Sequence, residues 1–229
     1  MDGLTAVVTG GTRGIGRQVT RAFAEAGANV ALCGRDADAV DETVAAIENA
    51  GGTAVGLRAD VRDEFDVERL METAARFEND GIDVVAANAG IYHGTPGETP
   101  LVTEPYAAFD DTFRTNCRGV FTAIRESLPH LSESARVVVP TGGIGHETEA
   151  GYGSYAVSKA GAEALVRGFS AEIDQTVVGL DPGAVATEMM GGRGREPETV
   201  AEMFVWAATD AKDVNGEIVG LKQWRQATR

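Results

Sequence analysis

From residue 4 to residue 221 the chain alternates short runs rich in Val, Ile and Ala with longer segments whose apolar residues recur at helical spacing. Strands are predicted over 4–10, 28–34, 53–60, 81–90, 135–141, 176–183 and 216–221, and helices over 17–26, 37–50, 63–79, 105–128, 152–173 and 197–209. Strands that are apolar on both faces belong in a parallel sheet with helices on both sides. Right-handed crossovers between parallel strands then leave a doubly wound α/β domain of about seven strands as the natural solution. No repeat, low-complexity segment or interdomain linker interrupts the alternation, so residues 1–229 read as a single domain. In such sheets ligands bind beyond the carboxyl ends of the strands, where the unusual residues of this chain cluster.

Thirty-five acidic residues stand against twenty basic ones, a formal charge of −15, and only three of the bases are lysines, Lys159, Lys212 and Lys222. Such a surface repels nucleic acid and anionic lipid. It suits a protein adapted to molar salt, where a screening length of about 3 Å silences carboxylate repulsion. No apolar run approaches the ~18 residues of a membrane span, and the opening Met1-Asp2-Gly3 leads straight into a strand, leaving no room for a signal peptide. A cytoplasmic location is expected. Cys33 and Cys117 lie in apolar segments and read as buried free thiols. His93, His130 and His146 lack metal-ligand spacing, so no metal is expected; His146 reads as a loop histidine on the path of a substrate. Trp206 reads as core or interface, and Trp224, in the tail, as a subunit or substrate contact.

After the first predicted strand come Thr9-Gly10-Gly11-Thr12-Arg13-Gly14-Ile15-Gly16 and a helix. Glycines at 10, 14 and 16 permit a tight turn and let backbone N–H groups and the helix N-terminus approach a pyrophosphate. This is the mark of a Rossmann-like nucleotide site. On a later helix, Tyr155 and Lys159 stand four residues apart and share a face. A phenol with a pKa near 10 is a poor base at neutral pH, and a neighbouring ammonium is expected to lower that pKa and make Tyr155 a general acid or base. Cofactor choice is read after the second strand. An acidic residue there would bind ribose hydroxyls and select NAD, but the place falls on Gly34, followed by Arg35, with Arg13 in the glycine turn. Two guanidiniums suit a 2′-phosphate and favour NADP. Asp36 is the dissenting residue, able to reach the ribose if the strand runs further.

The Gly-x-x-x-Gly-x-Gly spacing, Asp60-Val61 after the third strand, Asn88-Ala89-Gly90 after the fourth, Asn116, Tyr155 with Lys159, and Pro182-Gly183 with Thr187 occur in the order that resembles the short-chain dehydrogenase/reductase family. The resemblance implies an oxidoreductase that moves a hydride between nicotinamide and a carbonyl or alcohol. In it Gly10, Thr12, Arg13, Gly14, Ile15, Gly16, Arg35, Asp60, Val61, Asn88, Ala89, Gly90, Tyr155, Lys159, Pro182, Gly183, Val185 and Thr187 would hold the cofactor. Lys159 would also bind the nicotinamide ribose, and Asn116 would hold a water that links the lysine to solvent. A homodimer or homotetramer through the helices of Asn116 and Tyr155 is implied too.

The chain departs from the family at the substrate end. The serine usual thirteen positions before the tyrosine is Gly142, which leaves either the nearby hydroxyl of Thr141 or the backbone N–H groups of Gly142 or Gly143 to hold the substrate oxygen. The segment 188–196, with Gly191, Gly192 and Gly194, reads as a short mobile lid. The last strand lacks the Asp-Gly-Gly turn common there. These departures leave open a nucleotide-binding sensor or scaffold that has lost turnover. An epimerase or dehydratase on the same scaffold has no sequence feature in its favour.

Overall fold

Every side chain of β1 (Thr5–Thr9) is removed from solvent, so neither face of this strand meets water. The computed structural model describes residues 1–78, 81–147 and 149–228. β1 is the centre of a parallel sheet that also contains β2 (Asn29–Gly34), β3 (Thr53–Arg58), β4 (Ile82–Ala86), β5 (Leu131–Pro140), β6 (Thr176–Asp181) and β7 (Ile218–Gly220), in the order β3-β2-β1-β4-β5-β6-β7. All six pairings are parallel. The chain is thus a Rossmann-like α/β fold with seven strands. Strand order reverses between β1 and β4, and a crevice opens there at the carboxyl ends of the strands.

Alternation along β1 feeds two cores. Ala6 and Val8 face one side, with Val19 and Phe23 of α1 (Gly14–Glu25) and Met203 and Phe204 of α7 (Pro197–Thr209). Val7 faces the other, with Leu70 of α3 (Glu64–Ala75), Ile124 of α5 (Gly119–Ser127) and Val166 of α6 (Gly153–Glu172). A smaller cluster joins Val40 and Ile47 of α2 (Ala37–Asn49) to Leu32 and Ala54. Trp206 is in the first core.

Several boundaries differ from the sequence expectation. α1 starts at Gly14, not at residue 17, because the glycine turn itself winds into the helix. The end expected for α3, at Asn79, lies outside the described residues. The long helix expected over 105–128 is α4 (Tyr106–Phe113) and α5 joined by a π turn, Arg114–Arg118, whose wider coil carries Asn116 inward. β5 begins at Leu131 rather than 135, since Leu131 pairs with Ile82 before a bulge resets the register to Val84–Arg136. The tail is a helix, α8 (Leu221–Ala227), and Trp224 packs against the first core.

Candidate active site

A cavity of about 950 Å³ occupies the crevice, and it is lined by Thr141 and by every residue expected to hold the cofactor, Tyr155 and Lys159 included, but not by Asn116 or His146. One half is built by the glycine turn. A Cβ on Gly16 would lie 2.1 Å from the Gly10 carbonyl oxygen and 2.3 Å from Asn88 Nδ2, so only glycine fits there. Gly14 holds φ +52° at the start of α1. Asn88 donates from Nδ2 to the carbonyls of Thr9 (3.0 Å) and Gly10 (3.2 Å), and Thr9 Oγ1 accepts from the Ala89 N–H. The turn is thereby tied to the end of β4.

Arg13 and Arg35 are exposed, line the cavity, and form no ion pair among the described residues. β2 ends at Gly34, opposite Arg58, and Thr12 closes off the space a side chain would need at Gly34. Asp36 therefore lies beyond the strand. Its Oδ1 accepts the N–H groups of Asp38 and Ala39 and caps α2, although the residue also borders the cavity. Asp60 is held by Arg62 through both carboxylate oxygens, which keeps its pKa below the ordinary carboxylate range.

The other half is built on α6. Lys159 Nζ donates to the Pro140 carbonyl (2.9 Å) and lies 5.5 Å from the centre of the Tyr155 ring. The expected lowering of the Tyr155 pKa is reversed in the free protein. Although part of the ring faces the cavity, burial pushes the phenol up to about 12, and burial likewise pushes Lys159 down to about 8, partly opposed by Glu163. The ammonium stands over the ring face, bonded to a main-chain carbonyl, so it gives the phenolate no direct partner.

Asn116 is 1 % exposed and stands behind the cavity rather than in its lining. Its Oδ1 accepts the Ile91 N–H (2.7 Å), while Nδ2 donates to the Ile91 carbonyl (2.8 Å) and to Ser158 Oγ (3.0 Å). The side chain thus ties the segment after β4 to the residue preceding Lys159. Thr141 lines the cavity, but its hydroxyl donates to the Leu180 carbonyl at 3.2 Å across to β6. That hydrogen is engaged away from a substrate. Gly142 and Gly143 follow at the cavity wall, and among the described residues no acceptor takes their N–H groups.

Sequence reasoning missed other lining residues. Thr115 is buried with a hydroxyl that has no partner among the described residues. Tyr92 and Tyr152 also line the cavity, as do Met189 and Met190 in the segment expected as a lid. That segment is held by main-chain bonds such as Ala186 N–H to the Arg195 carbonyl (2.7 Å) and Gly192 N–H to the Thr187 carbonyl (2.9 Å). His146, in the loop between β5 and α6, bonds through Nδ1 to Glu163 Oε1 at 2.9 Å, and this raises its pKa.

These features fit a dinucleotide: a glycine cradle that a Cβ would fill, unpaired guanidiniums beside it, and an orphaned buried hydroxyl in the wall. Among the described residues no group of three or more His, Cys, Asp or Glu side chains is placed to hold a metal, and no helix is long and apolar enough to cross a membrane.

Comparison with known proteins gives the same picture. The sequence profile of the short chain dehydrogenases matches residues 4–198. Versicolorin reductase of Emericella nidulans is 33% identical, with 96% of this chain and 95% of that protein covered. The alcohol dehydrogenase of the archaeon Thermococcus sibiricus, solved with 5-hydroxy-NADP, superposes with a TM-score of 0.85 at 28% identity, covering 96% of each chain. A 7α-hydroxysteroid dehydrogenase solved with NADH superposes with a TM-score of 0.86 at 26% identity, covering 97% of this chain and 94% of the other.

Proposed function

The chain belongs to the short-chain dehydrogenase family, and on that premise we propose that it is an NADP-dependent carbonyl reductase or alcohol dehydrogenase. The observation that carries this reading is the placement of Tyr155 and Lys159 in the wall of the cavity whose other end is the glycine cradle. When bound, the nicotinamide supplies or takes up the hydride. The protein's own residues handle the substrate oxygen. Tyr155, whose phenol keeps its proton at neutral pH, donates that proton to a carbonyl oxygen, which suits the reducing direction. Lys159 sits beside the phenol to bind the ribose and to favour return of a proton. Asn116 positions the Ile91 segment against α6. With the Thr141 hydroxyl engaged by Leu180, the N–H groups of Gly142 and Gly143 are the better donors to the oxygen, and Thr141 supports the turn that presents them.

Arg13 and Arg35 favour the 2′-phosphate of NADP, since Asp36 is occupied as a helix cap. The glycine-rich 188–196 segment closes over the substrate as a lid. Exposed Phe113 and Phe121, on the helices flanking the π turn of Asn116, and Val157, on the helix of Tyr155, support assembly of two or four copies. The acidic surface fits a cytoplasmic protein of a salt-adapted cell; a melting temperature unchanged between 0.1 and 2 M KCl would count against that origin.

The test is NADPH oxidation with a panel of ketones and quinones, beside Tyr155→Phe. Turnover that falls at least 10²-fold in the variant, with NADPH affinity unchanged, supports the reductase. Tight NADPH binding without turnover of any carbonyl would favour the sensor reading, for which the absent serine at Gly142 is the one feature.

A further inference from the structure

The walls of the cavity beyond Tyr155 carry a second message. The Tyr92 ring centre lies 4.9 Å from that of Tyr155, and 6.4 Å from that of Tyr152, to which it is inclined by only 19°. All three rings line the cavity. Tyr92 is also fixed at its edge. Its hydroxyl lies against Thr99 Oγ1 and within reach of the carbonyls of Gly151 (3.1 Å) and Thr95 (3.3 Å), and Thr99 Oγ1 is 2.8 Å from the Gly151 carbonyl, so the two hydroxyls share their two hydrogens among these acceptors. Glu104 closes the same seam, accepting the Ser154 N–H at 2.6 Å. The segment after β4 and the segment before α6 are therefore joined edge to edge, and Tyr92, stacked with Tyr152 and tilted against Tyr155, is held as a rigid aromatic shelf that starts at the phenol.

We propose that this shelf makes the substrate a flat, uncharged aromatic ketone or quinone, whose ring system packs against the aromatic wall of Tyr92 and Tyr152 while its carbonyl oxygen meets Tyr155. The proposal rests on the reductase reading above. Offset stacking of aromatic rings is favourable beyond the area it buries. Thioether contacts with aromatic rings are favourable too, and Met189 and Met190 line the same cavity with side chains that adapt to a flat ligand. The charges of the lining decide against anions. Glu147, Glu149, Asp181 and Glu188 border the cavity, whereas Arg13 and Arg35 stand at the dinucleotide end and the Lys159 ammonium is bonded to Pro140. The imidazole of His93 is paired with Asp111. A carboxylate or phosphate on the substrate would meet these acids without a free cation beside them.

The experiment compares kcat/KM for phenanthrene-9,10-dione and for cyclohexanone, with NADPH, in the wild type, Tyr92→Leu and Tyr92→Phe. The wild type should prefer the flat quinone by at least tenfold. Tyr92→Leu should cut that preference about tenfold, and Tyr92→Phe, which keeps the ring, should preserve it. A wild type without preference, or a Tyr92→Leu that slows both substrates equally, overturns the shelf. Methyl 4-acetylbenzoate should be used at least tenfold more efficiently than 4-acetylbenzoate; equal use overturns the exclusion of anions. Calorimetric titration of the NADP-loaded protein with phenanthrene-9,10-dione separates the two readings. If no carbonyl is reduced, hydride transfer falls, yet quinone binding that weakens tenfold in Tyr92→Leu upholds the shelf. Absent or unaltered binding overturns it.

Discussion

Gly16→Ala puts a single methyl group at one of the tightest points among the described residues. Its carbon would lie 2.1 Å from the Gly10 oxygen and 2.3 Å from Asn88 Nδ2. Ordinary contact is about 3.5 Å, so both neighbours must retreat by more than about 1 Å. Such overpacking costs about 1–3 kcal/mol. Moving Asn88 also breaks its bonds to the Thr9 and Gly10 carbonyls, at about 0.5–1.5 kcal/mol each. Better helix propensity returns about 1 kcal/mol at most. The net loss is about 1–5 kcal/mol, which for a chain of this size lowers the melting temperature by about 2–20 °C, and NADPH binding should fall with it. Gly168→Ala is the matched control. Nothing lies within 4 Å of its added methyl on the exposed side of α6, so it should gain about 0.8–1 kcal/mol from propensity alone. Thermal melting followed by circular dichroism, with NADPH titration, reads both. A Gly16→Ala protein that melts within about 2 °C of wild type would refute the steric reasoning.

Lys159→Met should be inactive yet differ from wild type in its pH dependence of stability. The wild-type lysine falls from 10.5 unfolded to about 8 folded, so the folded state holds fewer protons between those values and wild-type stability should rise with pH across that window relative to the variant; parallel urea curves from pH 7.5 to 10.5 would sink this. For His146, the Glu163 carboxylate raises the folded pKa, so the contact stabilises fully below the unfolded value and is lost as pH rises through the folded one. Glu163→Gln should bring the NMR midpoint of His146 down toward 6.5, and an unmoved midpoint assigns the shift elsewhere. Arg35→Asp should move preference from NADPH toward NADH by at least tenfold in kcat/KM, and a wild type that already prefers NADH would hand cofactor reading to Asp36.

Where a residue's partner is near in sequence, the sequence displays it. The glycine turn, Tyr155 with Lys159, and the order of strands and helices depend on spacing within one or two turns of chain, and they were legible. What escaped depends on distant partners. The Thr141 hydroxyl finds Leu180, 39 residues on, and Asn116 finds Ile91, 25 residues back. α6 takes its first N–H bond from Glu104, 50 residues earlier, so no local capping residue marks its start. Nothing in the sequence marks Tyr92, because its edge is held by Gly151, 59 residues on. The Tyr155 pKa was misjudged for the same reason: sequence shows the lysine but not the burial that outweighs it.

The four residues from Asn88 to Ile91 carry one end of a continuous tether. Asn88 grips the glycine turn, Ile91 grips Asn116, and Asn116 grips Ser158 beside Lys159. Among the described residues, the hydrogen bonds of segment 188–196 reach no further than Ala184 on one side and Thr199 on the other. This divides the protein into parts with unequal freedom to vary. An exchange anywhere along the tether disturbs the seat of the nucleotide and the acid–base helix together, so it has to be compensated at several distant positions at once. The glycine segment can be replaced piecemeal. For anyone recasting this enzyme to a new substrate, the loop after β6 is the detachable module, and the seam at Asn88–Ile91 is the chassis to leave alone.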